Sequence, residues 1–236
     1  MVEIADIRDE ESLKAWLEDK PRELAVLLAH RAAARVMPIY WSWVADPSNE
    51  GELTDIIAWR ILPTTRAFAM FAILDVATTV DTSELRPQYP VSRAITAAAI
   101  AALAATTIAN ATIAATAVAT AAAVVPAPDF WDEVRRDATN YLDTNIRAPL
   151  SLWHNGIPPE ITGAWEAAAL SRLIEAGDTG WQFWIEWYEA QLSGADQNWE
   201  MLKEIVLIPD EDWKQGAAHV NSLIAETVTN ATNGPI

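Results

Sequence analysis

Cysteine is absent from this 236-residue chain, and glycine is scarce, with 8 residues. The first absence excludes disulfides, thiolate zinc sites and cysteine nucleophiles. It is compatible with a reducing compartment, and the acidic N-terminus MVEIAD lacks the pattern of a secretory signal. We therefore expect a cytoplasmic protein. Scarce glycine with abundant alanine disfavours turn-rich β architectures and favours helices.

Basic residues are outnumbered by acidic ones, 16 to 33, which gives a formal charge of -17. A field of this sign repels phosphate backbones, so the sequence disfavours direct nucleic-acid binding. It leaves open a basic partner that an acidic surface would occupy, although solubility is the simplest interpretation. Residues 129–236 carry 18 acids and 6 bases, against 15 and 10 in residues 1–128.

Apolar spacing of the 3.6-residue type recurs along the chain, and no stretch shows sustained strand alternation. Asp9 is a candidate N-cap for a first helix, and Pro21 starts a second that Pro38 should bend or end. Arg31 and Arg35 fit the C-terminal end of that second helix, where cations are favoured. Turn residues predict loops at 46–51, 81–90 and 149–159.

The stretch from Ala94 to Pro128 contains no charged residue and consists mostly of alanine and threonine. A single helix from about Val91 to Val125 would be about 50 Å long. Such a helix could be central in a bundle, pack against a second copy or insert residues 94–125 into a membrane. Its six threonines, Asn110 and the missing basic flank argue against lipid, and its length favours a homo-oligomer.

These features predict an all-α, multi-helix bundle with a long uncharged Ala/Thr-rich central helix and a Trp-rich C-terminal helical part. The parts we distinguish are residues 1–128, N-terminal helices plus an Ala-rich helical hairpin, and the acidic, Trp-rich residues 129–236. Whether these form one domain or two is left open.

Seven of the twelve tryptophans fall between Trp153 and Trp213. Stripes at helical spacing are usually core, which is the interpretation we favour, because each large ring buries extensive surface. Tryptophan also anchors partner contacts. The candidate interaction surface comprises Trp181, Trp184, Trp187, Tyr188, Trp199 and Trp213.

Catalytic motifs are not apparent: there is no Gly-rich phosphate loop and no His-Glu-x-x-His pair. We interpret His30 as a helix-surface or core residue. His154, in the sequence WHNG, is interpreted as a turn residue. His219 alone lies near carboxylates, so His219 with Asp210 or Asp212 is a candidate for a hydrolase or a metal-dependent enzyme. The capping preference of acids at a helix start explains Asp210, Glu211 and Asp212 equally well. We identify no cofactor.

Two parts of the chain resemble a group of uncharacterised bacterial proteins. They are IRDEESLKAWL at residues 7–17, and WQFWIEWYE at 181–189 followed by IPDEDW at 208–213. The matching pieces cover about a third of the chain, at its two ends. The group has no established activity, so the resemblance implies a bacterial cytoplasmic setting and no functional residue. The sequence thus predicts a non-enzymatic protein that self-associates or binds a protein partner.

Overall fold

The computed structural model describes residues 2–46, 60, 62–67, 69, 92–106, 110–125, 130–143, 148–175 and 179–233. All regular structure within these residues is helical, which confirms the predicted all-α bundle. The predicted loop at 81–90, and the predicted loop at 46–51 beyond residue 46, lie outside the described residues.

The helices are α1 (Glu10–Leu17), α2 (Arg22–Val44), α3 (Ser92–Thr106), α4 (Asn110–Ala122), α5 (Phe130–Asp143), α6 (Pro159–Glu175), α7 (Gln182–Ser193), α8 (Trp199–Val206), α9 (Asp210–Trp213) and α10 (Ala217–Asn233). Single 3-10 turns occur at Ile4–Asp6 and Thr179–Trp181. Residues 62–67 are also helical.

Helix α1 begins where the sequence predicts. The Asp9 carboxylate accepts the backbone N–H of Ser12 at 2.9 Å, and the Ser12 hydroxyl lies 3.1 Å from the Asp9 backbone nitrogen. This reciprocal capping box satisfies backbone groups that the first turn leaves without partners. It places Leu13, Trp16 and Leu17 in the core.

Helix α2 does not end at Pro38 but continues to Val44. Proline has no N–H, so the helix cannot supply the usual donor to the carbonyl four residues earlier, that of Ala34. The Tyr188 hydroxyl of α7 donates to this carbonyl at 2.7 Å. A side chain from another helix therefore replaces the missing hydrogen-bond donor, which allows a proline in the middle of α2.

The uncharged stretch forms a helical hairpin, so the predicted single helix of about 50 Å is wrong. Arg93, at the start of α3, donates to the carbonyl of Ala123, just past the end of α4, at 3.3 Å. Both helices pack on α2 as well as on each other, and buried alanines such as Ala97, Ala101 and Ala115 let the backbones approach closely. The compact hairpin removes the overhang on which the oligomer prediction depended.

One hydrophobic core includes residues from both halves of the chain, for example Leu27 and Trp184. Trp41 of α2 meets Tyr188 edge-on, with ring centroids 4.8 Å apart. Trp165 of α6 lies against the same tyrosine at 4.6 Å. Aromatic contacts of this kind stabilise the packing beyond their buried area.

None of the helices in the described ranges has the length and apolar character needed to cross a membrane.

Candidate functional site

The most unusual polar site in the structure is a buried charge cluster between α2 and α5. Helix α2 contributes Arg31 and Arg35, spaced by four residues and therefore on one face. Helix α5 contributes Glu133 and Asp137 at the same spacing. All four side chains are almost fully buried, with Arg35 at 0% exposure.

Asp137 bridges the two arginines. One carboxylate oxygen lies 2.9 Å from Arg31 Nε, and the other accepts from Arg35 Nη2 at 2.7 Å. The second acid, Glu133, is 3.9 Å from Arg35. Charged groups tolerate burial only when paired and hydrogen-bonded in this way.

Other donors of the two arginines hold the irregular segment 148–158, which we call the strap. Arg31 donates to the carbonyls of Leu150 at 3.0 Å and Ser151 at 2.5 Å. Arg35 Nε donates to the carbonyl of Leu152 at 2.8 Å. Three consecutive strap carbonyls are thus bound by two side chains of α2.

Glu133 holds the other half of the strap through its backbone donors. Its carboxylate accepts the N–H of His154 at 3.0 Å and of Asn155 at 3.3 Å. The charge on each hydrogen-bonding group makes these contacts stronger than neutral ones. The strap is thereby fixed by ionised side chains at both its carbonyls and its amides.

The strap also contacts the end of α7. Leu152 donates its N–H to the carbonyl of Gln191 at 3.1 Å. Gly194 ends α7 in the left-handed conformation, with φ of 72°. A Cβ at Gly194 would lie 2.4 Å from the backbone nitrogen of Ser151, so only glycine fits this approach.

His30 borders the charge cluster and is fully buried. Its Nε2 lies 2.8 Å from Oε1 of Gln191. Burial, reinforced by the positive charge of Arg66, lowers the pKa of His30 to about 3, so the ring is neutral at physiological pH. Burial also lowers the pKa of Arg66 to about 10, which leaves that residue charged.

The geometry of the charge cluster suits positioning rather than acid–base chemistry. The His30 ring is neutral and hydrogen-bonded inside the core, and both arginines bind strap carbonyls and Asp137. A general acid or base would need to reach a substrate proton. The arrangement joins α2, α5, α7 and the strap into one unit.

Most of the predicted aromatic interaction surface lies inside the core. Trp184, Trp187, Tyr188 and Trp213 are buried, whereas Trp181 and Trp199 are half-buried. Trp184 donates to the side chain of Asn221 at 2.8 Å, and Trp213 donates to the carbonyl of Ile208 at 3.0 Å. These contacts agree with the core interpretation of the stripe and leave Trp181 and Trp199 as its partly exposed members.

The structure brings His219 and Asp212 together but places Asp210 in another contact. His219 Nε2 lies 2.8 Å from an Asp212 carboxylate oxygen, and the pair is partly exposed. Asp210 accepts from Arg60 at 2.5 Å, and Arg60 also stacks on the Trp213 ring. Within the ranges that the structure describes, no group of three His, Asp or Glu residues could hold a metal.

The four-residue spacing of Arg31 and Arg35 is a sequence signal for the charge cluster, and the prediction that these residues lie at a helix end is wrong. Arg31 and Arg35 lie in the middle of α2, not near its C-terminal end. Matched stripes at four-residue spacing, two arginines in an apolar helix and two acids in another, are the pattern that could have predicted the pairing. His154 lies in the strap, its side chain exposed.

The fold and the charge cluster together define an all-α bundle with an ionically fixed strap. No protein-family model, curated protein or solved structure matches the chain.

Proposed function

We propose that this chain is a non-enzymatic helical protein that works by self-association, through the uncharged outer face of its alanine-rich hairpin. We place it in the cytoplasm, because a chain without cysteine suits a reducing compartment. The observation that carries the proposal is the contrast between this face and a chain whose formal charge is -17.

The outer hairpin face comprises the residues between Thr96 and Thr120 for which the structure shows some exposure: Thr96, Ala99, Ile100, Ala111, Thr112, Ile113, Thr116, Ala119 and Thr120. None of them is charged. The exposed Arg93, at the start of α3, lies outside this range. Solvent-facing helix surfaces are normally polar or charged, so this composition favours a covered surface.

The threonines of α4 add to the apolar character of this face. The Thr116 hydroxyl contacts the carbonyl of Thr112 at 3.0 Å, and Thr120 donates to the carbonyl of Thr116 at 2.7 Å. Hydroxyls bonded to their own helix need no further partner. Their methyl groups are then available to pack against another helix. Glu10 of α1, which accepts from Thr116, borders the face with a charge.

Electrostatics favours a second copy on this face over contacts elsewhere. Two identical chains with 33 acids and 16 bases repel each other over most of their surfaces. The uncharged hairpin is where such chains approach at least electrostatic cost. A basic protein partner would instead choose the acidic residues of α6 to α8, such as Glu166, Glu186 and Glu204, which are exposed.

The test is the absolute mass of detergent-free protein by light scattering after size exclusion, for the wild type and two charge variants. Thr112→Glu puts a carboxylate on the outer hairpin face, and Thr229→Glu puts the same charge on an exposed threonine of α10. We expect a discrete multiple of 25.9 kDa that Thr112→Glu reduces and Thr229→Glu leaves unchanged. A wild type that stays monomeric at every concentration rejects self-association, and an assembly insensitive to Thr112→Glu rejects this face.

A second candidate is hydrolytic or metal-dependent catalysis at His219, favoured by its 2.8 Å contact with Asp212. A carboxylate that orients a histidine is the arrangement of a general base. Asp212→Asn keeps the shape and removes the orienting charge. If neither Asp212→Asn nor His219→Gln changes any hydrolysis or metal binding by the protein, this candidate fails.

A further inference from the structure

Asn155 and Gly156 form an Asn-Gly dipeptide at the exposed turn of the strap. Both residues are exposed, and Gly156 has φ of 97°. No atom lies within 4 Å of the position that a Gly156 Cβ would occupy, so there is open space around this peptide unit. Because glycine has no side chain, the backbone nitrogen of Gly156 itself is unhindered.

We propose that Asn155 is a site of spontaneous deamidation that loosens the strap as the protein ages. The backbone nitrogen of Gly156 attacks Cγ of Asn155 and loses its proton, forming a new N–C bond and a five-membered succinimide. The Cγ–Nδ2 bond breaks, and Nδ2 leaves as ammonia after taking up a proton. Solvent water then opens the ring at either carbonyl, giving aspartate or isoaspartate at residue 155.

The strap couples this reaction to the buried charge cluster. The Asn155 N–H donates to Glu133, which is 2% exposed and itself lies 3.9 Å from Arg35. Deamidation adds a negative charge to the residue whose amide binds this carboxylate, and like charges repel. Isoaspartate also routes the main chain through the former side chain, which adds an atom between the Glu133 contact and the start of α6.

Asn140, Asn198 and Asn221, which also lie in the described residues, lack these conditions. Asn140 and Asn221 lie inside α5 and α10, where helical geometry constrains the backbone, and Asn221 accepts from Trp184. The Asn198 side chain caps α8 by accepting the N–H of Met201 at 3.0 Å. Asn233 is the other asparagine that glycine follows in the sequence, and it supplies an internal reference for the chemistry.

The experiment incubates the full chain in warm, mildly alkaline buffer and follows each asparagine by peptide mass spectrometry, with isoaspartate detected by enzymatic methylation. We expect the Asn155 peptide to exchange ammonia for water while the peptides containing Asn140, Asn198 and Asn221 stay intact. Hydrogen exchange of strap amides should accelerate, and the melting temperature should fall, in step with this conversion.

Two variants keep the proposal falsifiable. Asn155→Gln disfavours the five-membered ring and should keep its melting temperature during incubation, whereas Asn155→Asp should show part of the strap loosening without incubation. An Asn155 that stays intact while Asn233 converts overturns the site. Equal loss of melting temperature in the wild type and Asn155→Gln overturns the link between the site and the strap.

Discussion

At the scale of single residues, Pro38 and Tyr188 form a pair whose energetics can be isolated. Tyr188→Phe removes the hydroxyl that donates to the Ala34 carbonyl, leaving a buried acceptor without a partner. We expect a loss of about 1–3 kcal/mol in the free energy of unfolding, measured by urea denaturation. Burial raises the pKa of Tyr188 well above its usual value, so the hydroxyl remains a donor.

Pro38→Ala provides the control for this pair. Alanine restores the backbone N–H that the Ala34 carbonyl accepts in an ordinary helix. Tyr188→Phe should therefore cost less in the Pro38→Ala background than in the wild type. Equal cost in both backgrounds would show that the tyrosine acts through packing alone.

His30 should make stability depend on pH. Because burial depresses its pKa to about 3, the folded protein keeps the ring neutral, whereas the unfolded chain protonates near pH 6.5. The contribution to stability is fully present above pH 6.5 and is lost as the pH falls toward 3, by at most about 5 kcal/mol.

The measurement compares wild type with His30→Gln, a neutral side chain that does not titrate. Unfolding free energies at about pH 7 and about pH 4 give the loss on acidification for each protein. Other acids titrate in both proteins, so the difference between the two losses reports His30. An identical loss in both would mean that this ring does not oppose protonation in the folded state.

Arg35 tests the buried charge cluster. Arg35→Met keeps much of the side-chain volume but removes a partner of Asp137 and of the Leu152 carbonyl. Breaking a buried pair by removing one member typically costs about 3–5 kcal/mol, which urea denaturation would detect. Arg8→Met, at an exposed arginine, is the control and should leave the stability unchanged. An Arg35→Met protein with the same free energy of unfolding as the wild type would contradict the role assigned to Arg35 in the charge cluster.

Some residue contacts could be predicted from the sequence and others could not. The Asp9 cap depends on four neighbouring residues, so local sequence determines it. Arg31 meets Asp137 only because α2 and α5 pack together, and a single sequence does not reveal that docking. The same limit applies to Tyr188, whose partner carbonyl is 154 residues away.

At the scale of elements, we expect opposite effects from alanine at two glycines, one at the junction between α7 and the strap and the other inside α6. Gly194→Ala should destabilise the protein by more than about 1 kcal/mol, because the position is left-handed and the added Cβ meets the Ser151 backbone. Gly163→Ala lies within α6, where nothing surrounds an added Cβ, and should stabilise by about 0.5–1 kcal/mol. Thermal unfolding of both variants provides the comparison. If Gly194→Ala leaves the stability unchanged, Gly194 does not approach the Ser151 backbone as closely as described.

The hairpin shows that amino-acid composition can favour helices without determining their number or their length. A run of alanine and threonine residues has the same helix propensity whether it forms one long helix or two shorter ones. What distinguishes them is the surface that covers the alanines, here α2, and the Arg93 contact with Ala123. The absence of charge agrees with the buried alanines of this stretch, such as Ala97 and Ala115, but it does not specify where the chain reverses its direction.

At the scale of the whole molecule, burial of basic residues makes the surface more acidic than the composition. Arg31, Arg35, Arg60 and Arg66 are buried, and so are Glu133 and Asp137, which removes four of the 16 basic but two of the 33 acidic side chains from the surface. The exposed faces of α6 to α8 are therefore dominated by carboxylates. A mainly acidic exterior with an uncharged hairpin face is a property of the described part of the folded chain that the linear sequence shows only in part.

This charge distribution predicts that salt strengthens self-association. The Debye length falls from about 30 Å at 0.01 M to about 8 Å at 0.15 M ionic strength, so salt screens the repulsion between two acidic chains. Contacts at the uncharged hairpin are not weakened when salt screens charges. The dissociation constant, measured by sedimentation equilibrium, should therefore decrease as the sodium chloride concentration increases. Association that weakens with salt would mean that opposite charges hold the copies together, and the hairpin would then not be the interface.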